Sequence, residues 1–533
     1  KINGYEHWGL RGKLIADPTD TLKITLIADY SENSDNGYAD SIGTVFPSAF
    51  NNAVFIPSLA PLKLNGSNKD IDNDLDPYTK DKNGGVSGQI DLRLGGATLT
   101  SITAYRHWYN YQVRDGDFRS DAPSYVNTGI ATGDVLSHDR GDLKFDQFTQ
   151  ELRIASTNPQ FFEYVAGLYY YHTKEVDFFN RTVTACTAST LPTVNGLTPC
   201  AAGSSTYATN QGNANFTTTL TSYAGFGQGT LNFTHAFRGI LGVRYTEDKV
   251  GFDFARTSTQ ATAFSGVSPA FAAAGSIKGH GWSGNVGLQY DVAQDIMAYA
   301  TYTRGYKGPA LNVFFNMLAR DTGRIAPERS NAYEAGLKTR LFDRRLTLNL
   351  AAFYAEYDNY QANFLDIVAG QVVTRLTNAG SVSTRGVEMD FNAAITDNFS
   401  LSGGFNYTDA HINKFICPAG TAVTCADAIN GKPLPFAPKY KGTATVDWRL
   451  PLNLQGFNVD LNSSVTYQSK TNFDINQNPY SYQNPYAIWD AGITLRTADD
   501  KYALSFLVKN ITNKQFVIQR IPNGTSFMRQ ITP

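Results

Sequence analysis

The feature that most constrains this chain is an alternation of apolar and polar residues over segments of about ten residues. Successive side chains of a β-strand point to opposite faces, so each such segment predicts a strand with one apolar face. The segment 457–468 is an example, with Phe457, Val459, Leu461, Val465 and Tyr467 on one face and only polar residues on the other. The same pattern recurs at 8–14, 237–246, 398–408 and 442–450. Its length is that of a tilted strand that crosses a bilayer.

The connections between these segments alternate between very short and very long. The short ones lie at 16–20, 95–96, 157–160, 291–294, 342–344, 396–397, 451–455 and 498–501. The long ones lie near 31–85, 112–143, 176–215, 250–276, 305–330, 359–384, 411–439 and 469–486. A soluble β-sandwich would have shorter strands and short loops at both ends, whereas an outer-membrane barrel has periplasmic turns and long extracellular loops. The sequence therefore predicts an all-β, transmembrane, antiparallel up-and-down β-barrel with about eighteen strands.

Composition and motifs exclude several classes of function. The formal net charge is −2, which argues against a nucleic-acid partner. No apolar run approaches the length of a spanning helix, and the 13% of aromatic residues suits belts at a membrane interface. The sequence has no HExxH, GxSxG or Walker motif, and its seven histidines are scattered. We therefore predict neither an enzyme nor a cofactor.

The four cysteines fall into two close pairs, Cys186 with Cys200 and Cys417 with Cys425. Neither pair has CxxC spacing, and no histidine lies between the partners. Both pairs lie in long connections, which the barrel places outside the cell. We predict two local disulfides in an oxidising compartment, with a zinc site as the weaker alternative.

An acidic stretch in the first long connection resembles a calcium-binding loop. Its carboxylates fall at positions 1, 3, 5, 7 and 12 of such a loop and are Asp70, Asp72, Asp74, Asp76 and Asp81. The sixth position is Leu75 instead of glycine, and the twelfth is Asp instead of Glu. We interpret the stretch as a solvated acidic loop, with a calcium site as the alternative.

Several motifs between 305 and 520 occur in an order that resembles the barrel of TonB-dependent outer-membrane receptors. In the first hairpin the matching residues are Pro327, Glu328, Glu334 and Gly336, and in the next they are Asn378, Ala379, Gly380, Gly386, Val387 and Glu388. The segments GKPLPFAPKYKG (431–442) and VKNITNK (508–514) are similar to the last loops and strands of the family. Each motif alone is weak, but their order and spacing extend the resemblance over essentially the whole chain.

The resemblance implies a 22-stranded barrel closed by an N-terminal plug in the outer membrane of a Gram-negative bacterium. Such receptors bind scarce small molecules, most often ferric siderophores, and draw energy from the TonB–ExbB–ExbD complex through the plug. We expect residues 1–533 to be the barrel domain, with 18–19 of the 22 strands. The plug, three initial strands and the closing strand are expected to lie outside it, since KINGYEHWGL lacks the features of a signal peptide.

A binding site for an anionic, aromatic metal chelate would combine basic and aromatic side chains at the upper ends of the strands. The candidates are Arg106, Trp108, Arg304, Tyr306, Lys307 and Phe314. The alternative for each of them is a place in the aromatic girdle or in a solvated loop base. Three other functions stay open: TonB-dependent uptake of a saccharide or another non-iron ligand, a passive porin, and a structural or adhesive barrel.

Overall fold

One large antiparallel sheet dominates the computed structural model. The structure describes residues 4–37, 40–48, 51–120, 122–126, 135–157, 161–262, 264, 266–368, 371–417, 429–454, 456–523 and 527–531. Eighteen strands join the large sheet, which agrees with the predicted number. The described helical segments are a π-helical turn at Asn51–Phe55, an α-helical turn at Ile56–Ser58 and a 3-10 helix at Ala319–Thr322.

The strands of the large sheet follow the order of the chain, and only short strands within the long connections lie outside this sheet. The strands of the chain are β1 (Tyr5–Thr19), β2 (Leu22–Asp35), β3 (Ser41–Val45), β4 (Tyr78–Arg93), β5 (Ala97–Asp115), β6 (Val135–Ser156), β7 (Phe162–Ser189), β8 (Ser205–Asn232), β9 (Phe237–Ser258), β10 (Phe271–Ala293), β11 (Ile296–Lys307), β12 (Glu328–Leu341), β13 (Leu346–Asp358), β14 (Gln361–Val368), β15 (Gln371–Asn378), β16 (Ser381–Thr396), β17 (Phe399–Lys414), β18 (Tyr440–Leu454), β19 (Phe457–Gln468), β20 (Thr471–Asn472), β21 (Tyr482–Gln483), β22 (Tyr486–Thr497), β23 (Ala503–Val508), β24 (Gln519–Asn523) and β25 (Phe527–Ile531).

The large sheet is an up-and-down meander. Each strand pairs antiparallel with the next, except that β3, β14, β15, β20, β21, β24 and β25 lie in the long connections. Strands β1 and β23 are the two edges, and the sheet is not closed between them in the described part of the chain. The strands within the long connections form three small sheets, β14–β15, β20–β21 and β3–β25–β24. The predicted up-and-down topology is confirmed.

The strands of the first half are longer than the sequence pattern predicts. Strands β7 and β8 each have 28 residues and pair with each other from Phe162 and Leu231 up to Ser189 and Ser205. Most of the predicted long connection 176–215 therefore continues this hairpin. Because a strand beyond the membrane has water on both faces, its polar residues need not alternate with apolar ones.

Aromatic side chains form two rows on the apolar face of the sheet. The lower row lies near the short turns and includes Phe162, Phe237 and Tyr290. The upper row consists of Phe148, Tyr170, Tyr223, Tyr245, Trp282, Tyr302 and Tyr333, with neighbouring ring centroids such as those of Tyr245 and Trp282 4.9 Å apart. Between the rows, Leu241 is 62% exposed. An apolar band between two aromatic rows is the outer surface of a membrane barrel.

The buried cores lie among the long connections and where these connections pack against the upper ends of strands in the large sheet. We call Ile42, Phe55, Leu59 and Phe527 the mouth cluster. A second group, the phenylalanine cluster, consists of Ala214, Phe252, Phe254, Phe315 and Met317. A third contains Ala362, Phe364, Ala379, Val382, Ile412, Phe415, Ile429 and Ile475. The connections are therefore packed structures that build the extracellular end of the molecule.

None of the helices in the described residues is both long and apolar enough to cross a membrane.

Candidate functional site

A cavity of about 1020 Å³ opens among the long connections. Strands β5, β7, β8 and β11 and five connections contribute to its wall. We call this cavity the vestibule. Its aromatic lining residues are Phe179, Phe216, Phe314, Phe315, Tyr360, Phe436 and Phe473, its basic ones are Arg114, Arg181, Lys307, Arg520 and Arg529, and its acidic ones are Glu175, Asp177 and Asp474. Rings and charged groups of both signs therefore converge on one space.

Two of the basic groups in the vestibule share one buried carboxylate. Asp139 accepts a hydrogen bond from Arg181 Nε at 2.6 Å, and its other oxygen lies 2.8 Å from Arg114 Nη2. The Arg181 guanidinium also lies 5.8 Å from the ring centroid of Phe315. Because Asp139 is 2% exposed, the carboxylate fixes both arginines in place. The two guanidinium groups therefore form part of the vestibule wall. The Asp139 carboxylate offsets part of the positive charge that a ligand in the vestibule would meet.

Arg256 anchors the connection that carries Phe314 and Phe315. Its guanidinium donates hydrogen bonds to the carbonyl oxygens of Phe315 at 2.6 Å, Met317 at 3.0 Å and Pro269 at 2.6 Å. Arg256 is 3% exposed, so these carbonyls replace the water that the charge would otherwise bind. Arg256 was not predicted as a site residue, because nothing in the sequence links it to a connection about sixty residues later.

Gly212 leaves room for the ring of Phe315. A Cβ atom added at Gly212 would lie 2.9 Å from Cζ of Phe315 and 3.2 Å from Cγ1 of Val267. The Phe315 ring also contacts Phe179, with 4.8 Å between the ring centroids. Phe315 is therefore the buried anchor of this connection. Its neighbour Phe314 is only partly buried at the wall of the vestibule.

The last connection closes the vestibule on the side where the sheet is open. Strand β25 pairs with β3, and Phe527 stacks on Phe55 with 5.1 Å between their ring centroids. Arg529 forms an ion pair with Asp40 at 3.1 Å and lies 4.5 Å from the ring centroid of Phe118. The first and last long connections are thus joined at the mouth, although their strands β2 and β23 are far apart in the sheet.

Burial perturbs two ionisable groups of the vestibule that lie in connections. Burial raises the pKa of the Asp474 carboxyl above its usual value, although backbone N–H groups of Asn476 and Asn478 act in the opposite direction. Burial also raises the pKa of the Tyr360 hydroxyl, and the charge of Glu328 adds to this effect. Tyr360 therefore stays a neutral hydrogen-bonding group at physiological pH.

The family of this chain follows from a comparison of its sequence with known protein families. Residues 11–511 match the family described as TonB dependent receptor-like, beta-barrel. The chain belongs to this family. The predicted resemblance is therefore confirmed, and the predicted location is confirmed with it: this receptor is a protein of the Gram-negative outer membrane.

Individual relatives are distant. The receptor is 26% identical to the metal-pseudopaline receptor CntO of Pseudomonas aeruginosa over 195 residues, which are 35% of this chain and 24% of CntO. It is 24% identical to the probable TonB-dependent siderophore receptor PiuA of Acinetobacter baumannii over 170 residues, which are 31% of this chain and 22% of PiuA. The matched segments thus span about a quarter of these relatives.

Solved structures share the fold of this receptor. The ferric yersiniabactin uptake receptor FyuA from Yersinia pestis has a TM-score of 0.73 at 17% identity, with 100% of this chain and 69% of FyuA covered. The siderophore receptor PiuA from A. baumannii has a TM-score of 0.68 at 16% identity, with 100% of this chain and 74% of that one covered. At such identities the likeness shows the fold alone.

Two of the six predicted ligand residues of the receptor, Lys307 and Phe314, line the vestibule. The side chain of Arg106 instead binds Asp29 at 2.8 Å, and Trp108 donates its indole N–H to Asp81 at 2.9 Å. Arg106 thus joins β5 to β2 across the intervening β4, and Trp108 joins β5 to its neighbour β4.

The remaining two predicted residues lie elsewhere on β11. Arg304 is exposed and stands opposite Gly284 of β10, on the face that carries the upper aromatic row. The ring of Tyr306 covers Gly281, where an added Cβ atom would lie 2.1 Å from Cδ2 of the ring. Neither residue lines the vestibule.

Three of the five aspartates of the predicted calcium loop, Asp72, Asp74 and Asp81, have separate side-chain partners. Asp72 accepts a hydrogen bond from Ser120 at 2.5 Å, Asp74 lies 3.0 Å from His138, and Asp81 lies within β4. No three carboxylate, imidazole or thiol groups of the described residues are arranged to hold a metal ion. In this structure these three carboxylates of the acidic stretch therefore form separate hydrogen bonds with residues of other segments.

The first cysteine pair is joined as the sequence predicts. Cys186 and Cys200 form a disulfide with 6.6 Å between their Cα atoms, and it closes the end of the β7–β8 hairpin. Cys417 follows β17. Its predicted partner Cys425 lies outside the described residues, so the second pairing stays a prediction.

Proposed function

We propose that this receptor takes up a ferric siderophore across the outer membrane in a TonB-dependent manner, with energy supplied by the TonB–ExbB–ExbD complex. The observation that carries the proposal is the vestibule, on which four strands and five connections converge. It stands at the extracellular end of a barrel of the TonB-dependent receptor-like family. Its volume of about 1020 Å³ suits a chelate of substantial size.

The lining of the vestibule suits a metal chelate with aromatic or anionic parts. Lys307 is exposed at the end of β11, and Arg520 lies at the wall with its Nη1 group 3.3 Å from the carbonyl oxygen of Tyr480. The ring of Phe314 is available for stacking beside them. The names of CntO, PiuA and FyuA refer to metal-pseudopaline, a siderophore and ferric yersiniabactin, which supports a metal chelate as the ligand class.

Growth under iron limitation tests the proposal. A strain that lacks the receptor should lose growth on one ferric chelate from a panel of catecholate, hydroxamate and carboxylate siderophores. Deletion of tonB should have the same effect, because uptake against a gradient requires energy. Expression should rise when iron is scarce. Expression that follows a saccharide instead, or uptake that continues without TonB, would contradict the siderophore assignment or the energy coupling respectively.

Variants within the vestibule test the site separately from the transport class. Phe314→Ala and Lys307→Gln should weaken binding of the transported chelate by roughly tenfold each, since one stacking or charge contact is worth about 1–2 kcal/mol. The matched control is Lys501→Gln, which changes an exposed lysine at the opposite end of the sheet. Equal binding by all three variants would place the ligand elsewhere.

A further inference from the structure

Two carboxylates stand side by side on the wall of the vestibule. Glu175 and Asp177 are two residues apart on β7, so both side chains point to the same face of the sheet, and both line the vestibule. Tyr170 of the upper aromatic row lies five residues before Glu175 on the same strand. This spacing places the two carboxylates above the membrane and on the face opposite to the lipid. We call Glu175 and Asp177 the acidic pair.

The acidic pair has no counter-charge within the part of the chain that the structure describes. Neither carboxylate forms an ion pair there. The arginines of this wall, Arg114 and Arg181, both bind Asp139 instead. Arg181 lies four residues beyond Asp177 on β7, on the far side of Phe179. The wall of β7 therefore combines arginines whose charge is offset with carboxylates whose charge is not.

Asp177 has an unused hydrogen-bonding position. Its side chain is only 9% exposed, and among the described residues its Oδ2 atom has no hydrogen-bond partner. A buried carboxylate oxygen without a donor is costly, so a ligand that brings a donor recovers this free energy. Burial raises the pKa of the Asp177 carboxyl above its usual value, and contact with Glu175 and the charge of Asp142 act in the same direction. A bound cation would therefore stabilise the charged form of the pair.

Aromatic rings border the acidic pair. Phe216 of β8 lies directly opposite Asp177 in the antiparallel register, and Phe179 follows Asp177 by two residues on β7. Both rings line the vestibule beside the carboxylates. Such a group attracts an organic cation in two ways, through the negative charge and through the ring faces. A metal ion prefers a full set of oxygen ligands and gains nothing from the rings. The surroundings of the acidic pair therefore favour an organic cation.

We propose that the acidic pair binds an ammonium group carried by the ligand of the vestibule. This inference rests on the proposed function and narrows the ligand to a chelate with a protonated amine. An ammonium group has three N–H donors, which is enough for Oδ2 of Asp177 and for the carboxylate of Glu175. Lys307 of β11 and Arg520 of the last connection bring positive charge to other parts of the wall. The vestibule therefore orients a ligand that carries charges of both signs.

Calorimetric titration of the intact receptor with matched probes tests the proposal. The probes are desferrioxamine B, a linear trihydroxamate that ends in a primary amine, and its N-acetyl derivative, each in the ferric and in the metal-free form. Acetylation removes the positive charge and leaves the chelating groups unchanged. The amine forms should bind about tenfold more tightly than the acetylated forms, because acetylation removes charge-assisted hydrogen bonds to the acidic pair.

Variants of the acidic pair test whether it causes this preference. Glu175→Gln with Asp177→Asn should abolish the difference between amine and acetylated probes. The matched control is Asp142→Asn on the neighbouring strand β6. Asp142 lies opposite Phe178, so it points to the other face of the sheet, and its removal should keep the preference. A shift of gel mobility on heating shows that each variant is folded.

The outcomes separate this inference from the proposed function. Equal binding of the amine and acetylated ferric forms would overturn the inference and leave ferric-siderophore uptake intact. Binding of the metal-free amine form alone would support the acidic pair as a cation site and contradict a ferric chelate as the ligand. A loss of preference in Asp142→Asn as large as in the double variant would overturn a direct contact. Absence of binding by both amine forms would also overturn the inference.

Discussion

The guanidinium group of Arg529 lies 3.1 Å from the carboxylate of Asp40, although the two residues are 489 positions apart in the chain. Both side chains are largely buried, with 15% and 11% of their surfaces exposed. The pair lies beside the β3–β25 ladder and the mouth cluster. Charge, backbone pairing and apolar packing therefore join the same two connections at the mouth of the receptor.

Removal of one partner of this pair should release the first connection. Arg529→Met leaves the Asp40 carboxylate buried without its counter-charge, at a cost on the order of 3 kcal/mol. We expect limited proteolysis to cleave residues 36–77 faster in this variant. The double variant Asp40→Asn with Arg529→Met should recover part of the protection, and Lys514→Met serves as an exposed control. Identical cleavage rates in all variants would show that the ion pair does not hold the connection.

The turn after β5 should loosen as the pH rises. Asp117 accepts a hydrogen bond from the backbone N–H of Ser137 at 2.7 Å, and burial, together with the nearby Asp115 carboxylate, raises its pKa well above the usual value. A raised folded-state pKa means that the stabilisation is complete at low pH and is lost as pH rises through that pKa. Hydrogen exchange at Ser137, normalised for intrinsic rates, should show protection falling as the pH rises through the raised pKa of Asp117. Asp117→Asn should abolish this dependence, and an unchanged slope would contradict it.

The connection of Phe314 and Phe315 should open when its anchor is removed. Arg256→Met loses hydrogen bonds to the carbonyl oxygens of Phe315, Met317 and Pro269, worth about 3 kcal/mol together. Trypsin should then cleave after Arg320 and Arg324 faster than in the unmodified receptor. Arg256→Lys should not restore resistance, because one ammonium group does not reproduce the fork geometry. Full resistance in Arg256→Met would assign the ordering of this connection to the phenylalanine cluster alone.

Both cysteine pairs should be oxidised in the receptor isolated from cells. Cys186–Cys200 closes a short loop, so Cys186→Ser with Cys200→Ser should lower the local stability of the β7–β8 end by about 2–3 kcal/mol. Non-reducing peptide mapping should also recover a peptide that links Cys417 to Cys425. Free thiols at these positions, or a link between the two pairs, would refute the second pairing.

The large sheet was predictable because lipid imposes a simple rule on a strand. Within the membrane the lipid-facing side chains, every second one, are mostly apolar, and the segment 457–468 displays this rule with Ser463 as its one exception. The alternation of short and long connections then gave the topology. Above the membrane the rule no longer applies, so the upper halves of β7 and β8 and the β14–β15 hairpin were read as irregular connections.

The vestibule was predictable only in its residue types. Basic and aromatic side chains near strand ends were expected, and Lys307 and Phe314 do line the cavity. Which arginine faces the cavity and which binds a carboxylate depends on the register across several strands, as the Arg106–Asp29 pair shows. The contributions of Arg520 and Arg529 depend on how the last connection folds across the mouth. A single sequence contains no local signal for such long-range contacts.

The ladder between β3 and β25 has a consequence for the order of folding. The Ser41 hydroxyl lies 3.4 Å from the carbonyl oxygen of Gln530, so this contact closes a chain loop of 489 residues. Neighbouring strands of the sheet, in contrast, are joined by contacts between nearly adjacent segments. Loop-closure entropy therefore favours assembly of the meander first, and only the assembled sheet brings the two connections within reach of each other. We therefore expect the mouth to be the last part of the receptor to acquire its native contacts.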